Sequence, residues 1–446
     1  MGVLKTFVLG GIHPEENKLS SNAPIEALPV PEQAIIPLGQ NLGAPSKPVV
    51  NKGDKVKTGQ LIAEAAGFIS ANIHSPVSGT VLKIDNVLDM TGFRRPGVVI
   101  KTEGDEWDEN IDRSGDLITE INYTSEEIIE KIKQAGIVGM GGATFPTYVK
   151  LMPPPGKKAE YVIINGVECE PYLTADHRLM LEKGREIIIG TKILMKALKV
   201  DKAVIGIENN KPDAINHLTE LTKNEENITV VPLKVKYPQG GEKQLIKAVF
   251  NREVPSGKLP IEVGCVVQNV GTTFAVYEAI QKNKPLFERV VTVTGKSVKK
   301  PSNFLARIGT PINKLVEAAE GLPEDTGKII GGGPMMGKAL PSLDIPVVKG
   351  SSGVLLMREP ESHRNPESPC IRCSKCTNVC PMGLEPFLLA KASKVGRYDI
   401  VENEKVMDCI ECGSCQYTCP ANIPLLDYLR LGKNKVGNII RNRRKK

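Results

Sequence analysis

The chain has 446 residues, of which 41% are hydrophobic and 24% charged, and its formal net charge is +7. This length is too great for one ordinary hydrophobic core, so three or more domains are expected. No apolar run approaches the roughly 20 residues that cross a bilayer, and Gly, His and Pro interrupt the first residues too early for a signal peptide. These features exclude a membrane-spanning protein and predict a cytoplasmic location.

Residues 31–102 are rich in Gly, Pro and short β-branched runs, which predict short strands separated by turns. The stretches VNKGDKVKTGQLIAE and HSPVSGTVLKI resemble the two halves of a barrel-sandwich hybrid, the fold of biotinyl and lipoyl carrier domains. The carrier lysine is missing from the tip, SANIHSP, so a swinging-arm role is not expected. We assign residues 1–118 to an N-terminal segment and this domain.

Alternating helices and strands follow from about residue 124. SEEIIEKIKQAG has an acidic first turn and apolar residues at helical spacing. YVIINGVE and KAVIGIE are short β-branched strand candidates with helical sequence between them. This order predicts a parallel sheet covered by helices, a Rossmann-like α/β domain over residues 119–285. Residues 286–355, with RVVTVTG and KIIGGGPMMGKAL, predict a small β-grasp domain, so the chain as a whole is multidomain α/β.

Two cysteine motifs with the same spacing lie near the C-terminus, CIRCSKCTNVCP at residues 370–381 and CIECGSCQYTCP at residues 409–420. In two-cluster ferredoxins, three cysteines two residues apart bind one [4Fe-4S] cluster, and the fourth, which precedes Pro, binds the other cluster. We therefore predict crossed ligation in a ferredoxin-like helical domain over residues 356–430. One predicted set is Cys370, Cys373, Cys376 and Cys419, and the other is Cys409, Cys412, Cys415 and Cys380. Zinc is the alternative metal, although zinc sites typically use two CxxC pairs separated by a longer loop.

Residues 431–446 form a predicted basic tail. The stretch KNKVGNIIRNRRKK has seven basic residues and no acidic one. It is either a solvated tail or a contact for anionic lipid or an acidic partner. Nucleic acid is not expected as a partner, because no aromatic residues are interleaved with the basic ones.

Six further motifs, in order along nearly the whole chain, resemble the RnfC family of the Rnf electron-transport complex. That family is related to the NADH- and FMN-binding subunit of respiratory complex I. The motifs are GIHPEENK, AGIVGMGGATFPTYVKL, INGVECEPYLTADHRLM, YPQGGEKQLI, QNVGTTFAVYEAI and GGGPMMG. The resemblance implies that the β-grasp domain is of the SLBB type and that the α/β domain binds FMN and NADH.

The resemblance assigns cofactor-binding roles to residues that the pattern places at loops and strand ends. Glycines between two elements allow close approach to a ring or phosphate, and polar residues after buried strands lie where ligands bind in open α/β sheets. By resemblance, Phe145 stacks on a ring, Lys150 faces phosphate and Glu242 lies beside the nucleotide. The predicted cofactor-binding residues are Gly139, Gly141, Gly142, Phe145, Lys150, Asn165, Glu168, Glu170, Gly241, Glu242, Asn269 and Thr272. No side chain is predicted to be catalytic, because FMN carries the hydride transfer.

The implied function is that of a peripheral subunit on the cytoplasmic side of a membrane-bound Rnf complex, an ion-translocating NADH:ferredoxin oxidoreductase. A hydride passes from NADH to non-covalently bound FMN, and single electrons pass through two [4Fe-4S] clusters to partner subunits, which include a ferredoxin-like subunit and membrane subunits. Electron flow is coupled to ion translocation and ferredoxin reduction and is reversible. Two alternatives stay open: a soluble NADH-dependent diaphorase subunit of a hydrogenase or formate dehydrogenase, and an electron-relay or assembly subunit without flavin.

The chain departs from the related families at three positions, and two of them, Thr144 and Val167, motivate the flavin-less alternative. Thr144 stands where these families usually have Gly, Val167 where complex I has Asp, and Gly271 where complex I has Glu. A bulkier Thr144 is expected to lie close to the ring.

Overall fold

A computed structural model describes residues 4–443. Its first part consists of strands. They are β1 (Ile25–Ala27), β2 (Gln33–Pro37), β3 (Lys47–Pro48), β4 (Lys55–Val56), β5 (Leu61–Glu64), β6 (Ile73–His74), β7 (Gly79–Leu88) and β8 (Arg94–Thr102). A four-stranded sheet in the order β2-β8-β7-β4 and a three-stranded sheet in the order β3-β5-β6 enclose one apolar core. Ile36, Ile62 and Ile100 in that core are fully buried. The predicted barrel-sandwich fold is confirmed.

The second part alternates strands and helices. It contains α1 (Ser125–Gln134), α2 (Thr147–Lys150), β9 (Tyr161–Asn165), α3 (Ala175–Glu182), α4 (Gly184–Leu198), β10 (Ala203–Glu208), α5 (Pro212–Leu221), β11 (Ile228–Leu233), α6 (Glu242–Phe250), β12 (Cys265–Asn269) and α7 (Val270–Gln281). Helix α1 begins with a reciprocal cap, in which Thr124 Oγ1 accepts from Glu127 N–H and the Glu127 carboxylate accepts from Thr124 N–H. The strands form a parallel sheet in the order β11-β10-β9-β12, as the sequence predicts.

Burial explains why the parallel sheet carries so few polar residues. All six residues of β10 are buried, because helices cover both faces of the sheet. The polar side chains of β10 and β12 therefore lie at the carboxyl ends of these strands. Strands β9 and β12 are neighbours, and their last residues, Asn165 and Asn269, are partners in register. Two amide side chains thus stand side by side at the carboxyl edge.

The third part is a mixed six-stranded sheet with one helix. Its elements are β13 (Glu288–Thr294), β14 (Ser302–Arg307), α8 (Ile312–Ala318), β15 (Thr326–Gly331), β16 (Lys338–Ala339) and β17 (Gly353–Arg358). The strand order is β1-β14-β13-β17-β15-β16. Strand β1 belongs to the N-terminal segment, yet it pairs in parallel with β14 instead of joining the barrel. A strand of only three residues is too short for its sequence pattern to indicate which distant strand it pairs with.

The last part is helical. Its helices are α9 (Glu359–Ser362), α10 (Lys375–Asn378), α11 (Pro386–Lys394), α12 (Tyr398–Asn403), α13 (Ser414–Tyr417) and α14 (Leu425–Arg443). Residues 431–443, predicted to belong to a basic tail, are part of a helix instead, because α14 continues without a break through Arg443. Buried Leu425, Leu429 and Val436 pack its apolar side against the domain. Arg444 to Lys446 lie outside the described residues. Within residues 4–443, no helix combines the length and apolarity needed to cross a membrane.

Lys349 fixes the first two parts to the third. Its side chain is fully buried, and its Nζ donates to the carbonyl of Asn72 (2.6 Å) in the barrel and to that of Gly136 (2.7 Å) after α1. Burial lowers the pKa of Lys349 to about 7. The two carbonyl contacts hold the glycine-rich segment that follows α1 in a fixed position relative to the barrel.

Candidate functional site

The edge of the parallel sheet is organised by the two asparagines at the strand ends. Asn269 caps α7, since its Oδ1 accepts from the N–H groups of Gly271 (2.8 Å) and Thr272 (3.3 Å). Asn165 Nδ2 donates to the Gly240 carbonyl (2.8 Å), which ties β9 to the loop before α6. The structure therefore brings together three segments that the sequence assigns to cofactor binding.

The glycine-rich loop after α1 lies directly against this edge. A Cβ atom at Gly141 would lie 2.7 Å from Asn269 Nδ2, so only glycine fits there without a shift. Met140 N–H donates to Thr272 Oγ1 (2.9 Å), and Gly139 N–H donates to the Phe145 carbonyl (2.9 Å). Gly142, also predicted, is exposed and has no neighbour within 4 Å of a Cβ position. The loop presents open backbone beside the capped helix start, an arrangement that suits a flat ring or a phosphate.

Thr144 has a positive φ of +53°. A β-branched residue is strained in this region, whereas glycine is not. The position therefore favours glycine, which the related families usually have. Its methyl group lies against Gly350, where a Cβ atom would be 2.8 Å away.

Two half-buried acids, Glu168 and Asp176, lie behind the strand ends. The Glu168 carboxylate accepts from the N–H groups of Asp176 (2.8 Å) and His177 (3.2 Å) at the start of α3. Asp176 Oδ2 accepts from Asn269 Nδ2 (2.7 Å). Burial, followed by the charge of Glu168, raises the pKa of Asp176 to about 7. Asp176 was not among the residues predicted from the sequence. Its position in the motif TADHRLM, shortly after the predicted NGVECEP loop, could have indicated that it lies at the site.

Lys150 and Glu242, both predicted to bind cofactor, contact each other. Their side chains form an ion pair with each other, and Lys150 Nζ also donates to the Val267 carbonyl (3.1 Å). Helix α2 and the start of α6 converge on the end of β12, which brings the two charges into contact. The charge of Lys150 is thus already balanced. Its role at a phosphate, and the role of Glu242 at a nucleotide, stay predictions.

Glu170 serves as a contact between domains. Its Oε1 accepts from Met335 N–H (2.7 Å) and Met336 N–H (3.0 Å) in the GGGPMMG loop after β15. Burial raises the pKa of its carboxyl group. Gly241, at the start of α6, donates its N–H to the Pro238 carbonyl (2.9 Å). Cofactor binding by these two residues also stays a prediction.

One cavity in the helical part is lined by cysteines from both motifs. Its lining includes Cys380 from the first motif together with Cys409, Cys412 and Cys415 from the second, which we call the inner cysteine set. Burial raises the pKa of the Cys409 thiol to about 11. A buried thiol becomes a thiolate readily only when a cation binds it. This donor set fits an iron-sulfur cluster with crossed ligation.

The remaining motif cysteines form the outer cysteine set, Cys370, Cys373, Cys376 and Cys419. Cys370 and Cys373 are exposed, whereas Cys376 and Cys419 are half-buried. Burial, and then the nearby Cys419, raise the pKa of the Cys376 thiol. Cys376 and Cys419 pack against the same apolar core of the helical part, although they come from different motifs.

Among the residues that the structure describes, no group of three or more His, Cys, Asp or Glu is close enough to hold a single metal ion. A [4Fe-4S] cluster makes a different demand, since each thiolate binds a different iron and the sulfurs surround a larger group. Both ligand assignments stay predictions.

Family models match the chain in the order of its four parts. They are the RnfC barrel sandwich hybrid domain (residues 6–105), the Nuo51 FMN-binding domain (132–278), the SLBB domain (290–339) and the 4Fe-4S dicluster domain (363–420). The chain is also 47% identical to the C subunit of the proton-translocating ferredoxin:NAD(+) oxidoreductase complex of Clostridium ljungdahlii, over 97% of this chain and 94% of that one. The chain belongs to the RnfC family.

Other members of the RnfC family are nearly as similar. Identity is 44% to the C subunit of the Na(+)-translocating ferredoxin:NAD(+) oxidoreductase complex of Acetobacterium woodii, over 96% of each chain. It is 41% to the C subunit of the ion-translocating oxidoreductase complex of Rhodobacter capsulatus, over 97% of this chain and 84% of that one. The crystal structure of an NAD+-reducing [NiFe]-hydrogenase is more distant, with 17% identity, a TM-score of 0.49 and coverage of 70% of this chain and 63% of that one.

These matches confirm the predicted fold classes and the predicted cofactor classes, FMN and two [4Fe-4S] clusters. Each matched range lies within one predicted domain. The bounds 1–118, 119–285, 286–355, 356–430 and 431–446 themselves stay predictions.

Proposed function

We propose that this chain is the NADH-oxidising subunit of an ion-translocating Rnf complex. It binds on the cytoplasmic side of the membrane and passes electrons to a ferredoxin-like subunit and to membrane subunits. The names of its close relatives, which are C subunits of ferredoxin:NAD(+) oxidoreductase complexes, support this proposal. Ion translocation and ferredoxin reduction belong to the whole complex, and the reaction is reversible.

FMN, when bound, would take an electron pair from NADH as a hydride and release the electrons one at a time. The chain supplies position and electrostatics. Open backbone at Gly141 and Gly142 gives a ring or phosphate close access, and the start of α7 offers N–H dipoles to an anion. Asn165 and Asn269 direct amide groups to the same edge.

The cysteine sets would hold the two clusters as thiolates. Four thiolates around each cluster neutralise iron charge inside a small helical domain, and burial and hydrogen bonds to sulfur adjust the potentials. The convergence of Cys380 with three cysteines of the other motif around one cavity is the observation that carries the proposal. It supports two adjacent one-electron sites downstream of a two-electron donor.

The test is an anaerobic preparation of the full chain supplied with iron, sulfide and FMN. We expect about eight iron atoms per chain, flavin absorbance that bleaches on addition of NADH, and EPR signals from reduced clusters after bleaching. Flavin that binds but does not bleach would contradict the proposal, as would zinc in place of iron.

The flavin-less relay remains the competing proposal. One of its motives was Val167, but this side chain is fully buried in the core under β9 and β10, and its carbonyl accepts from Lys211 Nζ (2.8 Å). The Asp-to-Val difference therefore removes no group from the exposed loop edge. A preparation that contains about eight irons but takes up no FMN would favour the relay.

A further inference from the structure

One tyrosine joins the α/β domain to the inner cysteine set. Tyr237 lies in the loop before α6, and its side chain is only 2% exposed. Its hydroxyl donates to the carbonyl oxygen of Cys412 (2.8 Å). Ile12, Tyr237 and Cys412 form a small buried cluster of their own. A neutral hydrogen bond in a dry contact of this kind fixes distance and orientation.

The N-terminal segment holds this tyrosine and reaches the same cysteine set. Ile12 N–H donates to the Tyr237 carbonyl and Tyr237 N–H to the Ile12 carbonyl, both at 2.9 Å. Gly11 N–H donates to the Val379 carbonyl (2.9 Å), next to Cys380. Gly10 has a φ of +67°, and a Cβ atom there would lie 2.6 Å from the Cys380 backbone. Residues 10–12 therefore lie between the α/β domain and the inner cysteine set and contact both.

Two further segments contact the residues that follow Cys380 and Cys412. Gln244 Nε2 on α6 donates to the carbonyl of Pro381 (3.3 Å), the residue after Cys380. The Met335 carbonyl lies 3.0 Å from the Cβ position of Gly413, the residue after Cys412. Met335 N–H in turn binds Glu170, which follows β9. Four separate chain segments thus converge on two cysteines of one set.

The outer set shows no such connection. Within residues 4–443, no hydrogen bond or ion pair joins residues 119–285 to Cys370, Cys373, Cys376 or Cys419. Cys370 and Cys373 are exposed, and Ile371 between them is 69% exposed.

We propose that Tyr237 is a positioning residue that holds the inner set against the α/β domain. The cluster held by the inner set would then be the first to receive electrons, and the cluster held by the outer set would face the next carrier. This inference rests on the proposed function. NADH loses a hydride, which is two electrons and one proton, and becomes NAD+. Each [4Fe-4S] cluster would accept one electron and the proton would pass to solvent, so one NADH would reduce both clusters.

Two cysteine variants of the full, cofactor-loaded chain test the order, each as the control for the other. Cys373→Ser removes the outer cluster, and we expect the inner cluster to be reduced by NADH at the wild-type rate. Cys412→Ser removes the inner cluster, and we expect the outer cluster to be reduced by dithionite but at least roughly tenfold more slowly by NADH, because electron transfer must span a longer gap. Freeze-quench EPR measures both.

Tyr237→Phe tests the positioning role without removing a cluster. Flavin bleaching by NADH should keep its rate, while cluster reduction afterwards should slow by roughly fivefold, the effect of one lost hydrogen bond. The EPR signal and midpoint potential of the inner cluster alone should shift, which a general loss of structure would not produce. Tyr277→Phe is the matched control, since buried Tyr277 accepts a hydrogen bond from Ile118 N–H (3.2 Å) far from the cysteines.

The outcomes separate the inference from the function on which it rests. Bleaching without reduction of either cluster in the wild-type chain would overturn the proposed function. Fast NADH reduction of the outer cluster in Cys412→Ser, or equal shifts of both clusters in Tyr237→Phe, would overturn only the arrangement. If Cys412→Ser loses all its iron, the Tyr237→Phe and Tyr277→Phe pair decides.

Discussion

The two cysteine motifs have the same spacing and the same local backbone but different surroundings. The residue before the second cysteine is left-handed in both, with φ +55° at Arg372 and +57° at Glu411. The residue after it is left-handed too, with φ +59° at Ser374 and +78° at Gly413. A four-residue helix then follows in each motif, α10 and α13. Repeated sequence has produced repeated local structure.

Their tertiary contacts are not repeated. Glu411 forms ion pairs with Arg430 (3.2 Å) and Lys433 (3.0 Å) of α14, and Cys412 is 7% exposed under Tyr237. At the matching positions of the first motif, Arg372 and Cys373 are exposed. Cysteine spacing thus encodes a cluster-binding loop, whereas the packing of other domains determines which loop is covered.

Removal of Cys380 should give the largest effect, because crossed ligation makes it a ligand of the second motif's cluster. In Cys380→Ala we expect iron to fall by about half and the remaining EPR signal to match that of Cys412→Ala. Cys373→Ala is the control. A remaining signal that matches this control instead would show that each motif binds its own cluster.

The second prediction concerns oxidative damage to the loaded chain. Exposure of Cys370 and Cys373 should let oxidants reach the outer cluster first, so its EPR signal should decay roughly tenfold faster than that of the inner cluster in air. The decay is followed by EPR on samples re-reduced with dithionite. Equal decay rates would mean that the exposure difference between the motifs has no chemical consequence.

The third prediction concerns a substitution of Gly413, the left-handed residue after the second cysteine of the covered motif. Gly413→Ser places a Cβ atom 3.0 Å from the Met335 carbonyl at a φ of +78°. We expect a loss of about 1–2 kcal/mol in the stability of the helical domain, from backbone strain and displacement of the loop after β15. Loss of cluster absorbance on heating measures this change, and an unchanged midpoint would rule out the contact.

The smallest effect is expected from the matching change in the exposed motif. Ser374→Gly relieves a left-handed serine and should change stability by no more than about 1 kcal/mol, in the favourable direction. The same heating experiment applies, with Gly413→Ser measured beside it. A large destabilisation by Ser374→Gly would show that the serine side chain has a structural role that the backbone comparison does not include.

Much of the candidate site was predictable, because its signals are local. Buried strands end visibly at Asn165 and Asn269, and glycines mark the loop at positions 139–142, so the sheet edge could be located without coordinates. The pairing of Lys150 with Glu242, the hydrogen bond between Asn269 and Asp176 and the contact of Tyr237 with Cys412 could not be predicted. Each joins residues that are distant in sequence, and no periodicity of the sequence indicates such contacts.

The order of the folds and the form of the cysteine loops follow from local sequence, since strand composition, helix caps and CxxC spacing act over a few residues. Packing between domains instead placed β1 in a distant sheet, held the C-terminal segment as a helix through Arg443, and covered one cysteine set. These outcomes depend on which apolar and hydrogen-bonding surfaces meet when separate domains pack, and that complementarity is a property of the assembled chain.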